Sequence, residues 1–381
     1  MNRILFIVIV VSFLDTFIQL PIITPYALEL GASELLAGSI VAIYSLTNMV
    51  GNIFGGHWID RYGRKRLLFM GMGLVAIILL FYPLAQNAWH LFIVRFFHGL
   101  AGGILIPAAF AYVGDISKAK TRGKSMAFTG AGIGIAAIVG PAIGGAMAAR
   151  AQVEYVFIFV SILFIISTFL VYKFIEESYV STEKGKFNWK EFMPLLKHPL
   201  VLQASLAAFA LMISNGTLAF ALPLKVEEMG LDSQTTGMML STYGIVALII
   251  FLTPINRIYD KLSSLSLVIV GIMIIGSVHI ILNISTIFWL NMLLMVIYGI
   301  GFAFVFPSMN KIVAEASSKT DRGKAYGIFY AFFSVGAILG SFVSGATADT
   351  FGLPFLSSAI TMMAVGVVLI VIAKRYRKQQ Q

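Results

Sequence analysis

Three side chains of this sequence could hold charge inside otherwise uncharged apolar runs. Asp15 stands in ILFIVIVVSFLDTFIQL (4–20), and Arg95 and His98 stand three residues apart in AWHLFIVRFFHGLAGGILIPA (88–108). A carboxylate at bilayer depth costs ~2.5–3.5 kcal/mol on insertion scales, so such a group faces a cavity or a partner. A carboxyl group held in that way can load a proton from one side of a membrane and release it to the other. Ser12, Asp15 and Gln19 share a helical face, which makes a polar stripe rather than an isolated charge. The competing reading of Asp15 is a structural hydrogen-bonding residue beside a helix break at Pro21 and Pro25. Arg95 is permanently charged. It is expected to tune the coupling proton or meet an acidic substrate group; the alternative is a buried tie to helix carbonyls. Histidine titrates near neutrality, which admits His98 to the proton-coupling set beside Asp15 and Arg95; its alternative role is hydrogen-bonded packing.

Only long apolar helices can carry these residues. AVILMFWYC residues make up 59% of the 381, and the charged fraction is 12%, against about 25% in a soluble domain. That balance excludes a soluble enzyme and a disordered chain. About 20 apolar residues per crossing gives twelve expected spans: 4–27, 35–56, 66–84, 89–113, 125–148, 153–173, 200–224, 235–256, 265–283, 287–312, 325–347 and 353–373. The expected fold is an all-α membrane protein of twelve transmembrane helices in two pseudo-symmetric six-helix bundles, 1–173 and 200–381, joined by a polar cytoplasmic linker at 174–199. Asp15 lies too deep in the first run, and the run is too long, for a cleaved signal peptide.

The net charge of +10 has a topological origin. Of 27 Lys and Arg residues, 24 fall in loops and termini on one side if both termini share that side. The positive-inside rule makes that side the cytoplasm. A nucleic-acid partner is therefore not expected. A shift of 200 residues aligns the halves: Asp60 on Asp260, Gly99 on Gly299, Pro107 on Pro307, Arg122-Gly123-Lys124 on Arg322-Gly323-Lys324, and Gly140 on Gly340. Thirteen of fifty positions match between 101–150 and 301–350. Parallel six-helix repeats place a substrate site near the midplane between halves that rock to alternate access.

Tyr44, Asn48 and Asn52 recur along one face of the second span, either lining a cavity or bonding neighbouring helices. Gln19, Tyr44, Asn48, Asn215 and Tyr330 are the cavity candidates. An apolar, aromatic cavity with few polar groups suits a lipophilic ligand. Gly130, Gly132, Gly134, Gly140, Gly144 and Gly145 let the fifth span approach its neighbours closely. The sequence has no Cys, no metal-ligand cluster and no nucleotide motif; GAGIG lies inside a span with no strand before it. No cofactor or metal is expected.

At GGHWIDRYGRKR (Gly55–Arg66) the chain resembles the major facilitator superfamily, whose loop signature Gly-x-x-x-Asp-Arg-x-Gly-Arg-Arg/Lys is filled by Gly56, Asp60, Arg61, Gly63, Arg64 and Lys65. The second copy, INRIYDKLSS, keeps only Asp260 and Lys261. LFIVRFFHGLAGG (91–103) is similar to the Arg-x-x-Gln-Gly motif of the drug/proton antiporter branch, with His98 in place of Gln. GIAAIVGPAIGG (134–145) keeps the Gly-Pro-x-x-Gly-Gly core of the antiporter motif, on Gly140, Pro141, Gly144 and Gly145, and departs from it at Ala136. Phe13–Gly31 is similar to the first span of tetracycline-type exporters. The resemblance implies a cytoplasmic latch on Gly56, Asp60, Arg61, Gly63 and Arg64, with Glu176 and Glu177 able to supply acids to it. It further implies a proton-coupled antiporter, not an enzyme, multi-pass in the cell membrane with both termini cytoplasmic. Small lipophilic or cationic compounds, protons and the lipid bilayer are its expected partners, and a monomer its expected state. Two alternatives stand beside this: a dedicated exporter of one endogenous metabolite, siderophore-like or lipid-linked, and a non-transporting membrane sensor.

Overall fold

The computed structural model describes residues 3–116, 122–178, 193–316 and 322–380. Every long apolar run forms a helix, because a backbone in hydrocarbon must satisfy its own polar groups. Among the described residues, eleven helices are long and apolar enough to cross a membrane, and a bent pair, taken as one span, makes twelve. That pair is α1 (Arg3–Ile18) and α2 (Ile23–Glu29), which meet at 48°. Pro21 lies in the break and has no N–H to continue the ladder. The carbonyl of Gln19 instead accepts from the Ile22 and Ile23 N–H groups. The first span, expected as one run over 4–27, is thus two helices with Asp15 in the last turn of the first.

Residues Met1–Gly185 and Gly230–Ser241 form one compact unit, and Lys186–Met229 with Thr242–Gln381 form another. The first holds α1 and α2, α3 (Glu34–Tyr62), α4 (Arg64–Leu79), a 3₁₀ turn at Tyr82–Leu84, α5 (Ala88–Ile116), α6 (Arg122–Arg150) and α7 (Glu154–Phe174). The second holds α8 (Met193–Leu196), α9 (Pro199–Glu228), the later part of α10 (Ser233–Leu252), α11 (Ile258–Lys261), α12 (Ser264–Ile284), α13 (Phe288–Ala316), α14 (Arg322–Phe351) and α15 (Pro354–Gln380).

Glycine sets the closest helix contacts. On α5, Gly99 packs on the backbone of Tyr44 and Asn48, and Gly103 packs on Gly51, so α3 and α5 touch without intervening side chains. On α6, Gly140 meets Phe17 and Gly144 meets the Ile18 carbonyl, which fixes α1 beside Asp15. Gly145 lies on the backbone of Ser233, and Gly237 on the Pro141 carbonyl. The hydroxyl of Ser241 donates to the Ile138 carbonyl at 2.6 Å, so the opening turns of α10 belong with α6. Gly140, Pro141, Gly144 and Gly145 thus all lie at close helix contacts.

Candidate functional site

The α1–α6 and α3–α5 contacts bring Asp15, Gln19, Tyr44, Arg95 and His98 together in the first unit. Asp15 is 2% exposed and His98 0%, and their Oδ2 and Nε2 atoms are 2.9 Å apart. Asp15 Oδ1 accepts from Gln19 Nε2 at 2.7 Å. The other end of that amide, Gln19 Oε1, accepts from Arg95 Nη1 at 2.8 Å. Arg95 Nε donates to the Ile40 carbonyl at 3.3 Å, and its guanidinium lies 4.4 Å from the centre of the Tyr44 ring. The i, i+4 spacing within α1's polar stripe therefore joins acid to amide, and the amide joins the acid to the arginine. Arg95 fixes which end of Gln19 faces Asp15, because a guanidinium only donates.

His98 also reaches a residue that sequence reasoning missed. Its Nδ1 is 2.8 Å from the hydroxyl of Tyr82, which is wholly buried in the 3₁₀ turn after α4. The Tyr82 ring stacks on Phe157 at 4.0 Å, and the Tyr82 carbonyl accepts from the Tyr26 hydroxyl at 2.9 Å. Tyr44 meets the His98 ring edge-on at 5.1 Å. No periodicity marks Tyr82: it occupies a short loop whose side chain turns inward. The only sequence signal is its type, an amphipathic aromatic that needs a hydrogen-bond partner when buried.

With Asp15 ionised, Oδ2 accepts and His98 Nε2 carries the hydrogen. Nδ1 then accepts from Tyr82. A further proton on His98 makes both nitrogens donors, and the Tyr82 hydroxyl turns from donor to acceptor. Asp15 and His98 thus form one hydrogen-bonded pair, held between Gln19–Arg95 on one side and Tyr82 on the other.

The remaining candidates have other places. Asn48 is half-buried and accepts from Asn52 Nδ2 at 2.9 Å, so these two members of the α3 stripe bond each other. Asn215 is half-buried on α9 and donates to the Leu211 carbonyl of its own helix, while the Tyr243 hydroxyl lies 3.5 Å from its Oδ1. Tyr330 is 53% exposed and packs with Phe329 and Phe333. Asn215 and Tyr330 belong to the second unit and Asp15 to the first.

The loop signature meets Glu177 through backbone groups. Gly63 has φ of 99°, a region that favours glycine, and opens α4. The carboxylate of Glu177 closes the N-terminus of that helix, accepting from the N–H groups of Arg64 at 2.7 Å, Lys65 at 3.1 Å and Arg66 at 3.4 Å. A carboxylate there satisfies orphan donors and the helix dipole together. Tyr112 adds a bond to the Glu176 carbonyl at 2.9 Å. Gly56, Asp60 and Arg61 lie on α3, and the side chains of Asp60 and Arg61 lie outside the described residues. Among the described residues no group of His, Cys, Asp and Glu is arranged to hold a metal.

Fold and site together define a polytopic helical membrane protein with a buried acid–base network in one bundle. The profile of the Major Facilitator Superfamily matches residues 5–213 and 204–381, and the chain belongs to that superfamily of multi-pass membrane transporters. It is 25% identical over 390 residues to the quinolone resistance protein NorA of Staphylococcus aureus (strain COL), covering 99% of this chain and 98% of NorA. It is 25% identical over 356 residues to the uncharacterized MFS-type transporter MJ1560 of Methanocaldococcus jannaschii, covering 91% and 92%. Among solved structures, a bacterial homologue of the human lysosomal transporter Spinster, inward-facing and unoccupied, superposes with a TM-score of 0.79 at 15% identity over 98% of this chain and 95% of that one. A peptide transporter POT in complex with sulfate superposes with a TM-score of 0.82 at 14% identity, covering 98% and 94%. At such identities these structures speak to the fold alone.

Proposed function

We propose that the protein is a proton-coupled antiporter that exports small lipophilic or cationic compounds by alternating access. The observation that carries this reading is the Asp15–His98 pair, a buried acid bonded at 2.9 Å to a titratable base within the first unit. In one access state the pair takes a proton; in the other it releases it, and substrate occupies the cavity only when the proton is absent. The proton gradient then drives export. Similarity to a quinolone resistance protein along nearly the whole chain supports an exporter of drug-like compounds. Arg95 supports the role of a positioning group: it holds Gln19, the Ile40 carbonyl and the Tyr44 ring inside its own bundle. In this reading residues 1–173 and 200–381 are the rocking bundles, 174–199 the linker, and Glu177 with the Gly56–Arg64 loop a cytoplasmic latch. The protein works as a monomer in the cell membrane with both termini in the cytoplasm.

The test is reconstitution in liposomes with an imposed pH gradient and ethidium as the probe. Gradient-driven efflux is expected from the wild type, and from Asp15→Asn only ethidium exchange that no gradient accelerates. Gradient-driven efflux by Asp15→Asn at the wild-type rate would sink the mechanism.

A further inference from the structure

The second unit rebuilds the geometry of the site without its charge. In the first unit, Asp15 on the opening helix bonds His98, and Tyr44 meets the His98 ring edge-on at 5.1 Å and 71°. In the second unit, Ser214 on α9 bonds Tyr298 on α13, Oγ to hydroxyl, at 2.8 Å. Tyr243 meets the Tyr298 ring edge-on at 5.1 Å and 66°. The offsets are 199 for Asp15 and Ser214, 199 for Tyr44 and Tyr243, and 200 for His98 and Tyr298, the same register as the internal repeat within one residue. At the 200 offset, Gln19 and Arg95 fall on Ala219 and Met295. Acid, base, amide and guanidinium are thus all replaced by groups that do not exchange protons at physiological pH.

From this we propose that Ser214 fixes the coupling ratio at one proton per transport cycle, so that exchange for a monovalent cation moves no net charge. The inference rests on the antiport reading above and specifies its stoichiometry. The charge count of the site supports it. Arg95 contributes one permanent positive charge and ionised Asp15 one negative, so one added proton brings the network to +1. A second would bring it to +2 in a buried site, where like charges repel strongly. Among the described residues, the titratable or charged side chains facing the pair are Arg95 on α5, Tyr44 on α3 and Tyr82 in the 3₁₀ turn. Of the seventeen acids in the sequence, only Asp15 lies well inside an apolar span.

The second-unit cluster also holds an imidazole, His279. Its Nε2 is 3.1 Å from Ser214 Oγ, its Nδ1 has no hydrogen-bond partner, and its ring neighbours are Tyr298 and Phe355. Protonating it would bury a cation beside neutral groups, with no carboxylate among the described side chains in contact with it. Ser214→Asp would place an acid against His279 and reproduce the Asp15–His98 pair in the second bundle.

The experiment counts protons entering per ethidium leaving, with a pH dye inside proteoliposomes and ethidium fluorescence, and records transport current on a solid-supported membrane. The wild type is expected to give a ratio of about one and no current, since one proton balances one monocation. The ratio for Ser214→Asp is expected to approach two, with a measurable current; about 60 mV of potential then changes the attainable gradient about tenfold. A wild-type ratio of two with a current overturns the proposal while leaving Asp15-dependent antiport intact. Loss of the Asp15-dependent, gradient-driven flux itself overturns the parent reading, and this one with it. Because Ser214→Asp places a charge in a core, infrared difference spectra of purified protein give a second readout. The wild type is expected to show one titrating buried-carboxyl band, absent from Asp15→Asn; a further band that survives in Asp15→Asn overturns the proposal.

Discussion

Replacing Arg95 with lysine keeps the charge and removes the fork that organises the site. The guanidinium holds Gln19 Oε1 at 2.8 Å, the Ile40 carbonyl at 3.3 Å and the Tyr44 ring at 4.4 Å. A lysine ammonium can keep the bond to Gln19, but it cannot reach Ile40 and lie flat on Tyr44 at once. The bond to Ile40 is long, so its loss costs about 1 kcal/mol. The weakened cation–π contact at a desolvated site costs about another 1 kcal/mol. If that sum of about 2 kcal/mol falls on the access state described above, its population drops about thirtyfold, and gradient-driven export slows by about that factor. Tyr44→Leu removes that ring contact, worth about fivefold in export, together with the edge contact to His98. The assay is ethidium efflux from proteoliposomes at a fixed pH gradient, run as a double-mutant cycle. The two changes are expected to be less than additive, because both remove the Arg95–Tyr44 contact. Full efflux by Arg95→Lys, or effects that simply multiply, would show that Arg95 acts as a charge alone.

Other perturbations test separate parts of the structure. Tyr82→Phe keeps the stack on Phe157 and removes the hydroxyl from His98; it is expected to slow gradient-driven efflux about three- to tenfold and to leave substrate–substrate exchange unchanged. Glu177→Ala unties three N–H groups at the start of α4 and costs about 1–2 kcal/mol, read as a lower unfolding midpoint in detergent, with Glu177→Gln recovering part of the loss. Gly144→Ala drives a methyl group into the Ile18 carbonyl and separates α6 from the helix that carries Asp15. Coupled efflux is expected to disappear, whereas Gly134→Ala, where a Cβ meets nothing within 4 Å, keeps the wild-type rate in the same assay.

The spans were legible because a membrane helix must be long and apolar, a demand that leaves its mark in every run from Glu34–Tyr62 to Pro354–Gln380. Asp15, Arg95 and His98 were legible because charge at depth needs a partner, and the structure joins His98 to Asp15 directly and Arg95 to Asp15 through Gln19. His98 proves more central than a lone histidine in an apolar helix suggests. Its place depends on the close α3–α5 and α1–α6 contacts, and glycine spacing hints at such contacts without saying which helices meet. Tyr82 was illegible because an inward-turned loop residue has no period. Of the α3 stripe, Tyr44 faces Arg95 while Asn48 and Asn52 bond each other, a division that rests on helix rotation. Glu177 was readable as an acid near the loop signature, but not as the cap of α4: its carboxylate meets backbone N–H groups, which no side-chain pairing predicts.

The proposed antiport depends on a proton held at Asp15 and His98 until substrate displaces it. The direct measurement is proton release from purified protein in weakly buffered detergent on adding ethidium, recorded with a pH dye for the wild type and Asp15→Asn. About one proton released per bound ethidium in the wild type, and none from Asp15→Asn at comparable binding, is the predicted result. Equal release from both proteins, or binding by the wild type without release, would contradict it.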